Sequence, residues 1–278
     1  MLYPFWYVLI LAFNTGADAR YGGIYLWPRA FTLENFIYVF KYEALRNAAV
    51  VTIARCVVSS LFGVSVCMMA AFALSKTRFP GRRAVVIFLM IPMFIGGTVV
   101  SNYIVIAKLR LINNFLVFVL PGAFAYFTSV VMRSFIDGQP IELQESAILD
   151  GANYFQIFIK IVVPLAKATI SAFLFFSVVG NWLDVTTNVL YITKKSLYVL
   201  QFVMHIVIKS TEARSIIDTS STQMAKQIQT YSDMAYQPPT PQVIKMAIMA
   251  VVTFPLLFIY PFFQKYFIKG MLTGAVKS

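Results

Sequence analysis

Charge is scarce in this chain of 278 residues. Asp, Glu, Lys and Arg together make up 12% of it, about half the roughly 25% usual in a soluble domain. Hydrophobic residues make up 59%, and the mean hydropathy is +0.76. That much apolar surface exceeds what a soluble core of this length buries, so the fitting solvent is a bilayer. Histidine is nearly missing: His205 stands alone, which argues against a His-based zinc centre. Cysteine is limited to Cys56 and Cys67, both in one apolar run. If that run is helical, the two lie about 16 Å apart along the axis, too far for a disulfide, so they say nothing of redox compartment. No G-x-x-x-x-G-K-[ST] occurs: in GMLTGAVKS at the end Val276, not Gly, stands directly before Lys277, so the stretch is no such phosphate loop.

What is present is apolar length. The runs 48–74, 84–107, 115–135, 164–190 and 244–268 each have about 20 residues or more, enough for a ~30 Å hydrocarbon core. They lack the dyad alternation of a barrel strand, and internal backbone bonding then predicts helices. Residues 1–13, MLYPFWYVLILAF, are too short to cross and lack a basic n-region or a cleavage site. They read as the outer half of a first transmembrane helix that begins before this numbering; a short interfacial helix is the alternative. The expected fold is therefore all-α, one polytopic domain over 1–278 with six spans. A net charge of +12 is spread among apolar runs without forming a stripe, which disfavours nucleic acid and leaves anionic lipid or an anionic solute.

Orientation follows from SKTRFPGRR (Ser75–Arg83), where four basic residues in nine mark a cytoplasmic loop. Residues 14–47, 108–114 and 192–243 then lie outside, residues 136–163 inside, and both termini in the cytoplasm. Thr32 is a plausible cap ahead of LENFIYVF. Residues 192–243 are rich in Ser, Thr and Gln and end in QPPTPQ, while Tyr198–Ile208 alternates in a way that suits an interfacial helix.

The internal loop 137–163 concentrates acid. Asp137, Glu142, Glu145 and Asp150 are four of the chain's eleven acidic residues. Pro140 suits a helix start, Gly151 a left-handed cap, Asn153 the cap of a second helix, and Pro164 a bend into the next span. The pattern predicts a helical hairpin with Ile141, Ala147, Ile148 and nearby Leu143 on one side and Glu142, Gln144 and Glu145 opposite. The cytoplasmic leaflet is itself negative, so these acids suit a protein partner better than lipid; a solvated linker is the plainer reading.

Glu145-Ser146-Ala147, Gly151 four residues later, then Ile161, Val163 and Pro164 resemble the EAA…G…I-LP motif of permease subunits in binding-protein-dependent ABC importers. The spacing agrees at all seven positions over twenty residues, and the residue at five; Ser146 replaces an Ala and Val163 a Leu. YPFWYVLILAFN, ALSKTRFPGRR and GAVKS look like the carbohydrate-uptake branch, the group of the maltose permeases. GGIYLWPRAFTLENF is similar to permeases for complex oligosaccharides, including alginate-type systems. The resemblance implies a bacterial inner-membrane protein that works as a heterodimer with a second permease subunit. It also implies two cytoplasmic ATPases, which bind the ATP and Mg, and an external solute-binding protein. Glu145, Ser146, Ala147, Asp150, Gly151 and Pro164 would couple this chain to an ATPase cleft. No cofactor or metal is expected in the chain itself.

Polar groups within spans are candidates for the solute path. Arg55 fits that role or snorkels to the outer interface. Asn102 and Tyr103 follow Pro92 and Gly96-Gly97, which are expected to bend or loosen that helix; helix packing is the alternative reading of the glycines. Asn181, Trp182 and Asp184, in GNWLD, fit sugar contacts, since sugar rings stack on aromatics and bond to amides and carboxylates; Trp182 as an interface anchor is the alternative. The outer segments, with span-end residues such as Asp184 and Lys245, hold twelve basic residues against seven acidic ones. A neutral sugar gives no reason for that excess, whereas an anionic oligosaccharide or an acidic binding protein does. Glycerol phosphate or another phosphate ester is the alternative solute for the same machine. A membrane enzyme or assembly factor would need a cluster of His, Asp or Cys at the membrane face, which the sequence does not show.

The topology is testable with single cysteines placed in Ser75–Arg83 and in Ser215–Thr230 of a variant lacking Cys56 and Cys67. A membrane-impermeant maleimide added to spheroplasts is expected to label only the second site. Labelling of both, or the reverse pattern, excludes this orientation.

Overall fold

The computed structural model describes residues 3–41, 43–76, 79–209 and 242–256. In chain order its helices are α1 (Tyr3–Ala12), α2 (Gly16–Arg20), α3 (Glu34–Lys41), α4 (Glu43–Ser75), α5 (Arg82–Phe94), α6 (Val99–Lys108), α7 (Tyr126–Asp137) and α8 (Ile141–Leu149). They continue with α9 (Tyr154–Leu165), α10 (Lys167–Leu183), α11 (Thr186–Tyr191), α12 (Leu200–Lys209) and α13 (Gln242–Leu256). No strand forms among the described residues; an isolated antiparallel bridge joins Asn14 to Phe31. The all-α expectation holds there. The QPPTPQ segment, the Ser215–Thr230 labelling site, the second half of the 244–268 run and the basic tail lie outside the described residues.

Helix α4 has 33 residues and is long and apolar enough to cross a membrane. At 1.5 Å per residue it is about 50 Å long, more than a hydrocarbon core requires. Helices α9 and α10 reach spanning length only together, across a bend of 79°.

Three expected spans are not continuous helices. In 84–107, α5 ends at Phe94 and α6 starts at Val99. Pro92 removes a backbone donor near the end of α5, and Gly96-Gly97 favours neither helix. Thr98 then caps the restart, its hydroxyl accepting from the Ser101 amide at 3.2 Å. In 115–135, a single 3-10 turn (Phe115–Phe118) precedes Pro121-Gly122, and helix resumes only at Tyr126. The 164–190 run is likewise divided at Asp184-Val185 between α10 and α11. Average hydropathy carries none of these breaks, because the interrupting residues are few and small.

The described residues fall into two compact units, 3–52 with 193–256, and 53–192. In the first, Ile10, Leu11, Ala19, Ile24 and Val243 form an apolar core. Beside it Asn14 and Asn35 are buried at 0% and 1% exposure. Asn35 Nδ2 donates to the carbonyls of Ala12 and Asn14, both at 2.8 Å, and Asn14 Oδ1 accepts from the Ala30 amide at 2.9 Å. These bonds satisfy backbone groups where the chain leaves α1, so the segment after it is folded rather than a free loop.

In the second unit, Val64, Cys67, Met68, Ala71 and Phe72 of α4 pack with Met132 and Ile136 of α7 and with Ile157 and Val162 of α9. Cys56 and Cys67 are both buried and free, as their spacing requires. Helix α5, by contrast, buries none of its residues, and Phe88 and Phe94 are 70% and 75% exposed.

Asn35→Ala would leave two buried carbonyls without their donor, at about 1–3 kcal/mol each. The expected outcome is a lower melting temperature of the detergent-solubilised protein, measured by thermal shift. An unchanged melting temperature would exclude a structural role for this asparagine.

Candidate functional site

The loop 137–163 forms the expected helical hairpin, and its turn is fixed by local chemistry. Helix α8 ends in a Schellman motif. The Gly151 amide donates to the Ile148 carbonyl at 3.0 Å, and the Ala152 amide donates to the Ala147 carbonyl at 2.9 Å. Gly151 has φ +83°, where a side chain is strained. Asn153 then starts α9 with a full capping box: its Oδ1 accepts from the Gln156 amide at 2.8 Å, and Gln156 Oε1 accepts from the Asn153 amide at 2.9 Å.

The hairpin turns a different face inward from the one its pattern predicts. Ile141, Leu143 and Ile148 are exposed by 62%, 46% and 49%, while Gln144 is buried. The reason is Lys76. Its ammonium donates to Gln144 Oε1 and stands 4.4 Å from the centre of the Phe72 ring. Burial lowers the Lys76 pKa, and the nearby charge of Asp137 opposes that shift. A polar residue is thus drawn inward by a polar partner, and Ala147 and Ala152 pack on the α4–α7 core below it.

The tip that remains outward combines acid and grease. Leu149 is 88% and Phe155 66% exposed, and Glu142, Glu145, Ser146 and Asp150 beside them are exposed as well. A groove of about 410 Å³ runs along the turn, lined in part by Ala147, Asp150, Gly151, Gln156 and Lys160. Behind it, α9 contains a π turn at Phe158–Val162, directly before Pro164. Proline clashes with the carbonyl four residues back, and the wider π turn relieves that contact. The sharp bend follows at Ala166, two residues after the proline that sequence marks.

The second cluster lies between α4 and the α10–α11 junction. Arg55 is 3% exposed and does not snorkel. Its Nη2 pairs with Asp184 Oδ2, its Nη1 donates to the Asp184 carbonyl at 3.0 Å, and its guanidinium carbon lies 4.7 Å from the centre of the Phe118 ring. Asp184 also accepts from the Thr187 amide at 3.2 Å and from the Thr187 hydroxyl at 2.5 Å. Both ionic groups are therefore occupied with each other. A lone arginine in a span snorkels; a paired one need not, because its charge is matched locally.

Asn181 donates to the Ser177 carbonyl at 2.9 Å and reaches the Ser60 hydroxyl at 3.4 Å. Trp182 is 6% exposed while its neighbour Leu183 is 53% exposed, so the helix turns the indole inward. In this conformation it offers neither an interface anchor nor an open stacking face. Asn102 and Tyr103 stand apart from this group. Asn102 Oδ1 lies 2.7 Å from where a Cβ on Gly97 would sit. Tyr103 stacks on Tyr191, ring centres 6.0 Å apart, at the far end of α11 from Asp184.

Sequence reasoning missed Ser59, Ser60, Phe118 and Thr187. Ser59-Ser60 lies one turn beyond Arg55, a spacing that could have marked a polar face on α4.

Comparison with known proteins places the chain among transporters. The sequence profile of the family described as "Binding-protein-dependent transport system inner membrane component" matches residues 63–273. Protein LplC of Bacillus subtilis (strain 168) is 30% identical over 275 residues, covering 99% of this chain and 89% of that protein. The polygalacturonan/rhamnogalacturonan transport system permease protein YtcP of the same organism is 29% identical over 275 residues, covering 99% and 92%. In fold, the chain is similar to a chain of a bacterial ABC transporter involved in the import of the acidic polysaccharide alginate. The TM-score is 0.79 at 22% identity, covering 96% of this chain and 90% of that one.

Removing one partner of the Arg55–Asp184 pair strands a buried charge. Arg55→Met is expected to cost about 3 kcal/mol, the lower end for buried pairs because Asp184 is partly exposed. Combining it with Asp184→Asn is expected to cost less than Arg55→Met alone. Thermal stability of the four variants in detergent gives the coupling. Strictly additive losses would show that the two groups do not act as a pair.

Proposed function

Because this chain belongs to the family of binding-protein-dependent transport system inner membrane components, we propose that it forms half of an oligosaccharide pathway whose natural solute is anionic. It is a transport subunit and not an enzyme. The other half of the pathway is a second permease subunit. A pair of cytoplasmic ATPases binds ATP and Mg, and an external binding protein delivers the sugar.

The observation that carries this reading is the hairpin. A capped turn, rigid at its base and both acidic and apolar at its tip, suits insertion into a protein cleft. Glu145, Ser146, Ala147, Asp150 and Gly151 form the docking end, and Pro164 sets the bend that joins it to α10. Movement of the ATPases would pass through α9 into α10, with Gln144–Lys76 tying the hairpin to the end of α4.

The chain is read as six spans with both termini cytoplasmic. The interruptions at 95–98 and 119–125 fall within two of them. Irregular backbone is tolerated at membrane depth where protein covers it or it lines a water-filled cavity. Helix α5, which buries none of its residues, fits that requirement if the second permease subunit covers it. Of the residues expected along the path, Asn102 and Tyr103 keep exposed polar groups. Arg55, Asp184 and Asn181 are better read as braces that hold the corner between α10 and α11.

An anionic solute is supported by the positive excess on the outer segments and by the names of two similar proteins, one transporting polygalacturonan and rhamnogalacturonan and one importing acidic alginate. Charges facing water act over about 8 Å at physiological salt, far enough to steer an anion toward the entrance.

Two experiments test this reading. Gly151→Val forces a β-branched residue to φ +83°. It is expected to abolish solute-stimulated ATP hydrolysis while leaving binding-protein association intact; normal transport would exclude the hairpin as the coupling element. In reconstituted transporter, a uronate oligosaccharide is expected to stimulate hydrolysis, and an uncharged one of equal length is not. Neutralising Lys194 and Lys195 should weaken transport more at low salt than at high salt. Equal stimulation by both sugars would remove the anionic solute and leave the sugar permease.

A further inference from the structure

The segment after α1 is read from sequence as lying wholly outside, yet it runs back along α1. The Ala30 amide bonds Asn14 Oδ1 at 2.9 Å, and the Phe31 ring stacks on Phe13, centres 5.4 Å apart. Further back along the helix, the Trp27 ring meets Trp6 edge-on, centres 5.5 Å apart. Trp6 Nε1 donates to the Leu26 carbonyl at 3.0 Å, and Tyr3 Oη donates to the Tyr25 carbonyl at 3.4 Å. Trp6 and Asn14 are eight residues apart, which along a helix is about 12 Å. The headgroup layer of one leaflet is only about 5–7 Å thick. With Asn14 at the outer surface, Trp27 and Leu26 therefore stand at or below the hydrocarbon boundary.

We propose that residues 21–31 form an aromatic re-entrant anchor in the outer leaflet, and that the partner of this surface is lipid at the headgroup–acyl boundary. The inference rests on reading α1 as the outer half of a span.

Three properties fit that partner. The segment is apolar where it reaches deepest: Tyr25, Leu26 and Trp27 are 66%, 65% and 72% exposed, and Trp and Tyr are the residues that favour this depth. The carbonyls of Tyr25 and Leu26 are bonded by α1 side chains, which lowers the cost of holding them away from water. Its polar groups gather at the other end, where Arg29 pairs with Asp18 at 3.3 Å and Asn14 donates to Asp18 at 2.9 Å. The polarity gradient along the segment thus matches the gradient from water to acyl chain.

The test uses the reconstituted transporter in phospholipid nanodiscs, with its binding protein absent. Single nitroxide labels are placed at Leu26→Cys, Tyr25→Cys and Phe5→Cys, with Lys194→Cys as the aqueous control, after Cys56 and Cys67 and the partner chains' cysteines are replaced. Power-saturation EPR compares collisions with oxygen, which partitions into lipid, and with a water-soluble nickel chelate. The expected result is that oxygen exceeds nickel several-fold at Leu26 and Tyr25, as at Phe5, while nickel dominates at Lys194. Nickel dominating at Leu26 and Tyr25 with oxygen dominating at Phe5 would overturn the anchor and leave α1 in the membrane. Nickel dominating at Phe5 too would overturn the α1 span itself. Shielding from both probes at Leu26 and Tyr25 would mean that protein covers the segment, and would equally overturn the lipid assignment.

Discussion

A chain dissolved in hydrocarbon has no water to bond its amides, so every interruption of a helix must carry its own donors and acceptors. The structure meets that demand at several helix ends by a short polar side chain set beside them. Thr98 caps the restart after Gly96-Gly97, and Asn114 Oδ1 accepts from the Leu116 amide at 3.0 Å where the 3-10 turn begins. Asp184 receives the Thr187 amide where α10 gives way to α11. Asn14 and Asn35 do the same where the chain leaves α1. These residues are few, yet they allow an apolar chain to contain corners.

The same demand explains why the charged pair sits where it does. Asp184 is needed at the α10–α11 corner as an acceptor, and its charge then requires a cation in reach. Arg55 supplies it from a residue 129 positions away in sequence. Pairing replaces the large cost of an isolated buried charge by a smaller net term, and the stacked Phe118 ring adds a favourable contact to the guanidinium. The result fixes α4 against the corner. Of the six residues singled out as solute contacts, Arg55, Asn181 and Asp184 bond between α4 and the end of α10, and Trp182 is buried.

Legibility in the sequence followed the range of the interactions. Gly151, Asn153 and Pro164 act on their own few residues of backbone, and their roles as turn, cap and bend could be named from spacing alone. Helix α4 was legible because its 33 residues contain neither proline nor a paired glycine. The break at 95–98 was legible only as a bend or loosening at Pro92 and Gly96-Gly97, and the one at 119–125 was not legible, since the signal for a span averages over about twenty residues and the breaks occupy four to seven. The inward face of α8 was misread because amphipathic reasoning sends Gln144 outward, and only Lys76, 68 positions away, reverses that. The Arg55–Asp184 pair was out of reach for the same reason, although each member was identified.

The π turn at Phe158–Val162 sets the aim of the whole hairpin. An α-helix rotates by about 100° for every residue, and a π turn holds one residue more than the α-turn it replaces. The compass direction in which Glu145 and Leu149 face thus depends on a count of residues between Asn153 and Ala166 as well as on the Lys76–Gln144 bond. Losing or gaining a single residue there would swing the outward face of the hairpin by roughly a quarter turn while leaving each of its side chains unchanged. The segment works as a rotary setting, and its length carries information that no individual side chain holds.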